Sequence, residues 1–313
     1  MLSRIAESLF WIGRYVERAE GTARMLDVNI SSLVTDPWAD EDLTCRGLLA
    51  VLGCPEPEET ITRDELIQRL LIERNDPASV AFCFEAAREN ARRIREVISA
   101  EFWEALNTNR AKLPKQVRPG REHGVFVWVR HQAMLALAIA DASMIHDEGW
   151  QYMALGRALE RADMTSRLIA SRGVPAKDAR TPNWVEVLRS CGGYESFLRA
   201  QRGVISDRSV AEFLVRGRVF PRSVLTSLDQ AMESLVALEP DRTRTLVPGG
   251  AIAVLGRTRG DLAYVPAVEI AEDLQGWMHR LQDAVVAATE AVRRRYFPDY
   301  IQPVWSGSST WLD

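Results

Sequence analysis

Two stretches of this 313-residue chain carry the same charged residues at the same spacing. "GRYVERAEGTAR" (residues 13–24) returns without a gap as "GRALERADMTSR" (residues 156–167), at an offset of 143 residues. Gly13 pairs with Gly156, Arg14 with Arg157, Glu17 with Glu160, Arg18 with Arg161, Thr22 with Thr165 and Arg24 with Arg167, while Glu20 meets Asp163. Carboxylates and guanidinium groups at this density offer two chemistries. The planar fork of arginine holds a carboxylate or phosphate through two parallel hydrogen bonds, so the strips could build a binding centre for an anion. A glutamate could instead act as a general base, which requires a pKa raised toward neutrality. Adjacent arginines lower a carboxylate pKa. Glu17 and Glu160 are therefore weak catalytic candidates, and a holding role is favoured for Arg14, Arg18, Arg24, Arg157, Arg161 and Arg167. A third basic element, "AARENARRIRE" (residues 86–96), places Arg88, Arg92 and Arg95 on one helical face. If that face met the two strips, the shared pocket would be markedly cationic.

Residues three, four and seven apart share a helix face. Gly13, Glu17, Glu20 and Arg24 thus form a strip beside an apolar stripe of Ile5, Leu9, Ile12, Val16, Ala19, Ala23, Leu26 and Ile30. This spacing predicts a first helix from about Ser3 to Leu33 and an equivalent one at 149–171. Two such strips can pack together or about a common pocket, their glutamates and arginines bridging across. The plainer reading is a set of structural ion pairs that lock two helices in register. "TRDE" (62–65) is a capping box opening a short helix to about Glu73, and Asp76-Pro77 fits the start of a helix running to about Ala100. Further helices are expected at 101–110, 124–147, 149–171, 184–202 (broken at Gly192-Gly193), 207–216, 221–238 and 266–296, with turn-rich connectors that include "TDPWADED" and "VPGGAIAVLGRTRGD". The fold class is all-α: a multi-helix bundle with a long N-terminal helix, two equivalent Glu-Arg helices and a long C-terminal helix. One domain is expected over 1–300, with a sub-boundary near 172–183. The tail at 301–313 carries Trp305 and Trp311, which could seat in a partner's grooves.

Composition narrows the function classes. Hydrophobic residues at 47% and charged residues at 26% indicate a soluble globular chain. The net charge of −4 provides no general field for nucleic acid. Only three of the 39 basic residues are lysines, Lys112, Lys115 and Lys177, a bias toward the residue that grips carboxylates bidentately. The four cysteines lack Cys-x-x-Cys spacing and fit a reduced cytoplasmic compartment. Arg4 and Glu7 interrupt any signal-peptide pattern, and the apolar stretch from Gln132 to Ile145 contains Asp141 and is short for a membrane span. P-loop, dinucleotide-binding, nucleophile-elbow and His-Glu-x-x-His signatures are absent, as is the Glu-x-x-His of di-iron bundles. No cofactor and no metal are expected. "DPWAD" (36–40) only superficially matches the Asp-x-x-x-Asp of prenyl-transfer enzymes, and Gly249-Gly250 with "GRTRGD" offers at most an anion nest.

The blocks "MLSRIAESLFWIGRYVERAEGTARMLDVN", "NDPASVAFCFEAARENARRIREVISAEFWEALN", "GRALERADMTSRL", "FLVRGRVFPRSVL" and "RRRYF" resemble, in order, those of the bacterial alpha-E domain proteins. A local departure is Gly21, where the family pattern has asparagine. The resemblance implies an all-helical protein found with circularly permuted ATP-grasp carboxylate–amine ligases and transglutaminase-like peptidases, in systems that make or trim a peptide or an amide-linked tag. It places the matching positions at Glu17-Arg18, Glu160-Arg161, Arg88 to Arg92 and Pro221 to Ser223. The expected function is an auxiliary subunit that binds an ATP-grasp ligase, its peptide substrate, or both, with acidic peptide or carboxylate as ligand. Two alternatives stand beside it: an enzyme of amide transfer or ligation in its own right, and a purely architectural oligomer.

Overall fold

The computed structural model describes residues 1–173, 183–200, 205–239 and 250–297. Among them are fourteen α-helices and no strand. The first half comprises α1 (Ser3–Thr35), α2 (Glu41–Val51), α3 (Arg63–Ile67) running into a π-helical turn (Gln68–Ile72), α4 (Val80–Arg93), α5 (Ala100–Lys112) and α6 (Glu122–Ser143). The second comprises α7 (Glu148–Ala170), α8 (Trp184–Ser190), α9 (Tyr194–Ala200), α10 (Asp207–Arg216), α11 (Val224–Leu238), α12 (Ala251–Tyr264), α13 (Ala267–Glu272) and α14 (Leu274–Tyr296).

The two helices carrying the repeated motif, α1 and α7, lie side by side at the centre and run in the same direction. Phe10 sits against Gly156, Gly13 against Met153 and Arg157, and Gly21 against Met164. The close approach depends on the two glycines. A Cβ on Gly13 would fall well inside 3.0 Å of the Met153 carbonyl oxygen, and one on Gly156 would do the same to the Phe10 carbonyl. The remaining helices repeat around this pair. α4 packs on α1 as α11 packs on α7, and α6 packs on α1 as α14 packs on α7. α5 bridges α4 and α6, just as α12 bridges α11 and α14. Among the described residues, these helices thus form two copies of one packing arrangement, with α6 and α7 joined through residues 144–147. The boundary expected at 172–183 falls largely outside the described residues. The expected stripe of α1 is buried from Ile5 to Ile30, and because α1 touches neighbours on nearly every side, Phe10, Arg14, Glu17 and Glu20 are buried too.

Several boundaries differ from expectation for identifiable reasons. The N-cap of α4 is Ser79, whose hydroxyl accepts from Phe82 N at 3.0 Å, and Asp76 instead closes a turn by accepting from Ala78 N. The segment 184–202, by contrast, breaks where expected, between Ser190 and Tyr194, because Gly192 adopts φ +65°, where a side chain would be strained. The expected 266–296 helix splits at Asp273, whose carboxylate caps α14 by accepting from Gly276 N. Two helices lie where no helix was expected. Asp40 of "DPWAD" is the N-cap of α2, which buries Cys45, Leu48 and Leu49. "AIAVLGRTRGDLAY" forms α12, so "GRTRGD" is helical and makes no anion nest. Its Gly256 and Gly260 each cost helix propensity by about 1 kcal/mol, which buried Ala251, Leu255 and Leu262 offset. α6, at 22 residues, is long and apolar enough to cross a membrane by composition. It packs on α1 with Phe126, Val129, Ala133, Ala136, Leu137 and Ala140 inward.

The contact between α1 and α7 gives a direct stability test. Gly13→Ala and Gly156→Ala are each expected to lose about 3 kcal/mol or more in urea unfolding, because the added methyl meets backbone that cannot rotate away. Gly124→Ala on α6, where a Cβ would meet nothing within 4 Å, is expected to gain about 0.5–1 kcal/mol from propensity alone.

Candidate functional site

The side chains of the two motifs cross the α1–α7 seam and grip each other. Glu160 receives Arg14 Nε at 2.6 Å on Oε2, and Arg18 Nε at 2.5 Å and Nη2 at 3.1 Å on its two oxygens. Glu17 receives Arg161 Nε and Nη2, each at 2.8 Å, in a bidentate fork. Arg222 at the start of the second half's flanking helix adds contacts of 3.3 Å to Glu17 and 2.8 Å to Glu20. Glu17, Glu20 and Glu160 are each 1% exposed, so these are ion pairs in the protein interior. Burial alone pushes the Glu17 carboxyl up, but Arg161 and Arg222 together overcome it and hold it at about 2. Glu160 behaves alike: desolvation raises its pKa, and Arg14 and Arg18 pull it down to about 2. Arg18 is in turn held more firmly protonated by Glu160.

A second tier of contacts repeats as faithfully as the first. Arg18 Nη1 donates to the Pro77 carbonyl and Arg161 Nη1 to the Pro221 carbonyl, both at 3.4 Å. Thr22 donates to the Ala78 carbonyl at 3.2 Å and Thr165 to that of Arg222 at 3.1 Å. The hydroxyls of Ser79 and Ser223 cap α4 and α11. Gly53 and Gly192, both in the left-handed region, end α2 and α8 beneath the guanidinium groups of Arg167 and Arg24. The resemblance named Pro221 to Ser223 but not what they hold, and sequence reasoning passed over their counterparts in the first half, although "PASV" (77–80) and "PRSV" (221–224) carry the signal.

This repetition is not complete. Arg14 reaches Glu160, whereas its counterpart Arg157 turns outward to Asp141 Oδ2 at 3.0 Å. Arg222 takes the place beside Glu17 that Arg157 leaves, and its own counterpart in the first half is Ala78. Each central glutamate therefore receives two arginines by a different route. Arg24 pairs with Glu20, and Arg167 Nε pairs with Asp163 Oδ2 at 2.9 Å.

The third basic element does not join this centre. Arg88 bonds Asn107 and Glu89 and lies over the Trp103 ring at 5.5 Å, Arg92 pairs with Glu89, and Arg95 also covers Trp103. The apolar stripe of α4 turns inward onto α1, which leaves these arginines on the opposite side facing α5 and solvent. The shared pocket is correspondingly less cationic than expected, with its arginines matched by carboxylates. Trp305 and Trp311 lie outside the described residues.

The Alpha-E family model, described as a predicted alpha-helical domain with a conserved ER motif, matches residues 1–297. The chain belongs to the Alpha-E family. Its Glu-Arg dipeptides on α1 and α7 are those that cross-pair at the seam. The chain is 27% identical over 339 aligned positions to uncharacterized proteins of Mycobacterium bovis and Mycobacterium tuberculosis. The match takes in 96% of this chain and 38% of the relatives' length, so the chain spans under two fifths of each. No solved structure matches it. Gly21 faces Met164, which is its own repeat counterpart. A Cβ there would lie within 3.0 Å of the Met164 side chain, so the smallest residue meets a long one.

Beside this Alpha-E centre lies a polar cleft of about 650 Å³, lined by Arg24, Arg130 and Arg189, by the carboxylates Asp27, Asp36, Glu186 and Glu195, and by Ser31 and Ser32. Arg130 contacts Asp27 at 3.4 Å and Arg189 stacks on Tyr194. Arg24 pairs with Glu20 through Nη2, while its buried Nε has no hydrogen-bond partner among the described residues. Among the described residues no three His, Cys, Asp or Glu side chains converge as they would around a metal ion.

Linkage fixes the pH response of the buried pairs. The pKa values of Glu17 and Glu160 are depressed on folding, so their stabilisation is present above the ordinary value of 4.5 and is lost as pH falls toward 2. Urea unfolding is expected to show stability falling through that window. The fall should be shallower in Glu17→Gln and Glu160→Gln, each of which is expected to lose about 3–5 kcal/mol at pH 7 by leaving buried arginines uncompensated.

Proposed function

We propose that this protein is a non-catalytic helical subunit that binds an ATP-grasp ligase, the acidic peptide on which such a ligase acts, or both, in the cytoplasm. The observation that carries this reading is the state of Glu17 and Glu160. Both are saturated by guanidinium groups and held ionised at about 2. A general base working near neutrality needs the opposite shift. The centre of the molecule is thus a lock between two helices, and its arginines are already committed to internal carboxylates.

The holding role foreseen for those arginines passes to the neighbouring cleft. There Arg24, Arg130 and Arg189 line a space large enough for several residues of an extended peptide. A carboxylate entering it would find the guanidinium forks of these three arginines and serine hydroxyls beside them, set among the carboxylates of Asp27, Asp36, Glu186 and Glu195, of which Asp27 already holds Arg130. The mycobacterial relatives support a partner-dependent role, because their matched region belongs to a longer polypeptide with additional chain attached.

Affinity capture from cells expressing the tagged protein with the ATP-grasp ligase, and fluorescence anisotropy with a labelled oligoglutamate peptide, test this reading. Capture of the ligase or saturable peptide binding is expected. Arg24→Ala and Arg189→Ala are each expected to weaken the peptide at least about tenfold, the scale of one charge-assisted contact. Failure to bind both ligase and peptide, or turnover by the isolated protein that Glu17→Gln abolishes, would contradict the proposal.

A further inference from the structure

The two halves of the molecule are copies, so each serves as a reference for the other. In the second half, the Arg222 guanidinium fills the space between the two acidic residues of α1, reaching Glu17 at 3.3 Å and Glu20 at 2.8 Å. Glu20 is therefore flanked by Arg24 on one oxygen and Arg222 on the other. The equivalent pair on α7 is Glu160 and Asp163, and the residue equivalent to Arg222 is Ala78. That equivalence rests on geometry. The residues before them, Pro77 and Pro221, receive Arg18 and Arg161 at the same 3.4 Å, and their own carbonyls receive Thr22 and Thr165.

With alanine at position 78, the space stays open. A cavity of about 240 Å³ lies there, bounded by Arg18, Gly53, Asp76, Ala78, Asp163 and Arg167, with Glu160 behind them. Asp163 is 8% exposed, and its Oδ2 accepts from Arg167, while its buried Oδ1 has no hydrogen-bond partner among the described residues. A buried carboxylate oxygen without a donor is costly. Desolvation raises the Asp163 pKa, against the pull of Arg167 on its other oxygen.

From this comparison we propose that the cavity beside Ala78 is a binding site for a guanidinium group supplied from outside the chain. The sign of the ligand follows from how the lining charges are spent. Arg18 gives Nε and Nη2 to Glu160 and points Nη1 at the Pro77 carbonyl. Arg167 gives Nε to Asp163. Asp76 is satisfied by Arg69 at 2.9 Å and by the Ala78 amide. An incoming anion would meet the carboxylates of Asp76, Glu160 and Asp163, and of these Asp163 keeps one buried oxygen, Oδ1, without a hydrogen-bond partner among the described residues. The shape of the ligand follows from the other half, where the matching space holds a planar fork bridging two carboxylates. A guanidinium can donate to Asp163 Oδ1 and lie against Glu160 in the same way, which a compact ammonium cannot do as well. The volume admits one side chain or a compound of that size. The guanidinium belongs either to an arginine of a partner protein or to a free small molecule. This site is separate from the arginine-lined cleft and does not depend on it.

The test uses the intact protein and isothermal titration calorimetry with three probes: agmatine, an acetylated arginine amide flanked by two glycines, and n-butylamine as the ammonium control. Saturable binding of agmatine or the arginine peptide is expected, at least tenfold tighter than the amine. A small-molecule site predicts agmatine to be the tighter of the two, and a partner's arginine predicts the peptide. Ala78→Arg places the missing side chain in the cavity, so it should raise the melting temperature and abolish binding of both guanidinium probes. Asp163→Asn should weaken both at least tenfold, and it keeps the test decisive if Ala78→Arg does not fold. No binding by the unaltered protein, equal binding of the amine, or undiminished binding by either variant overturns the proposal.

Discussion

The fold depends on two glutamates and their arginines crossing a seam between parallel helices. α1 and α7 approach so closely at Gly13 and Gly156 that no side chain fits between their backbones. Beyond those glycines the gap widens enough for Glu17 and Glu160, each reaching across to the arginines of the other helix. Burying such charges is expensive unless every lone pair is matched. Here bidentate forks, a second arginine for each glutamate, and backbone carbonyls that accept the spare guanidinium protons provide the match. Two buried glutamates and the four arginines that hold them, in a fixed register, specify one arrangement of two long helices that apolar packing alone would let slide.

The duplication explains why the same residues occur twice, and its imperfections are equally informative. Had both halves been identical, the equivalent of Arg222 would exist at position 78 and Arg157 would reach inward as Arg14 does. Instead, Arg14 covers Glu160 from one side and Arg222 covers Glu17 from the other, so the two centres differ in what remains unoccupied. One is closed by the chain itself. The other leaves a cavity beside Asp163, one of whose buried oxygens has no hydrogen-bond partner among the described residues. Asymmetry of this kind is how a repeated scaffold can keep one copy for stability and release the other for recognition.

Much of the architecture was legible in the residues. The apolar stripe of α1, the capping box at Thr62–Glu65 and the ungapped repeat at 143 residues predict helices that the structure contains, and the ridge spacing predicts acidic and basic groups beside a seam. What escaped had physical causes. α12 was hidden because Gly256 and Gly260 depress local propensity while three buried residues supply the compensation. The break between α13 and α14 turns on a single capping aspartate. The resemblance named Pro221 to Ser223 without saying what they hold, and Ala78 as the counterpart of Arg222 was missed because the signal joining the two is a four-residue echo, "PASV" and "PRSV", too short to stand out until the helices were seen side by side. The basic face of α4 was over-read because periodicity shows that Arg88, Arg92 and Arg95 share a side but not which neighbour that side meets.

The central claim is that arginine and glutamate act as a coupled pair across the seam, and a double-mutant cycle on Arg18 and Glu160 measures this most directly. Arg18→Met, Glu160→Gln and the double variant would be compared in urea unfolding at pH 7. The account predicts a coupling energy of about 2–3 kcal/mol, with the double variant less damaged than the two single losses added together. Losses that add to within about 0.5 kcal/mol would contradict it, showing that the two side chains sit close without holding the helices together.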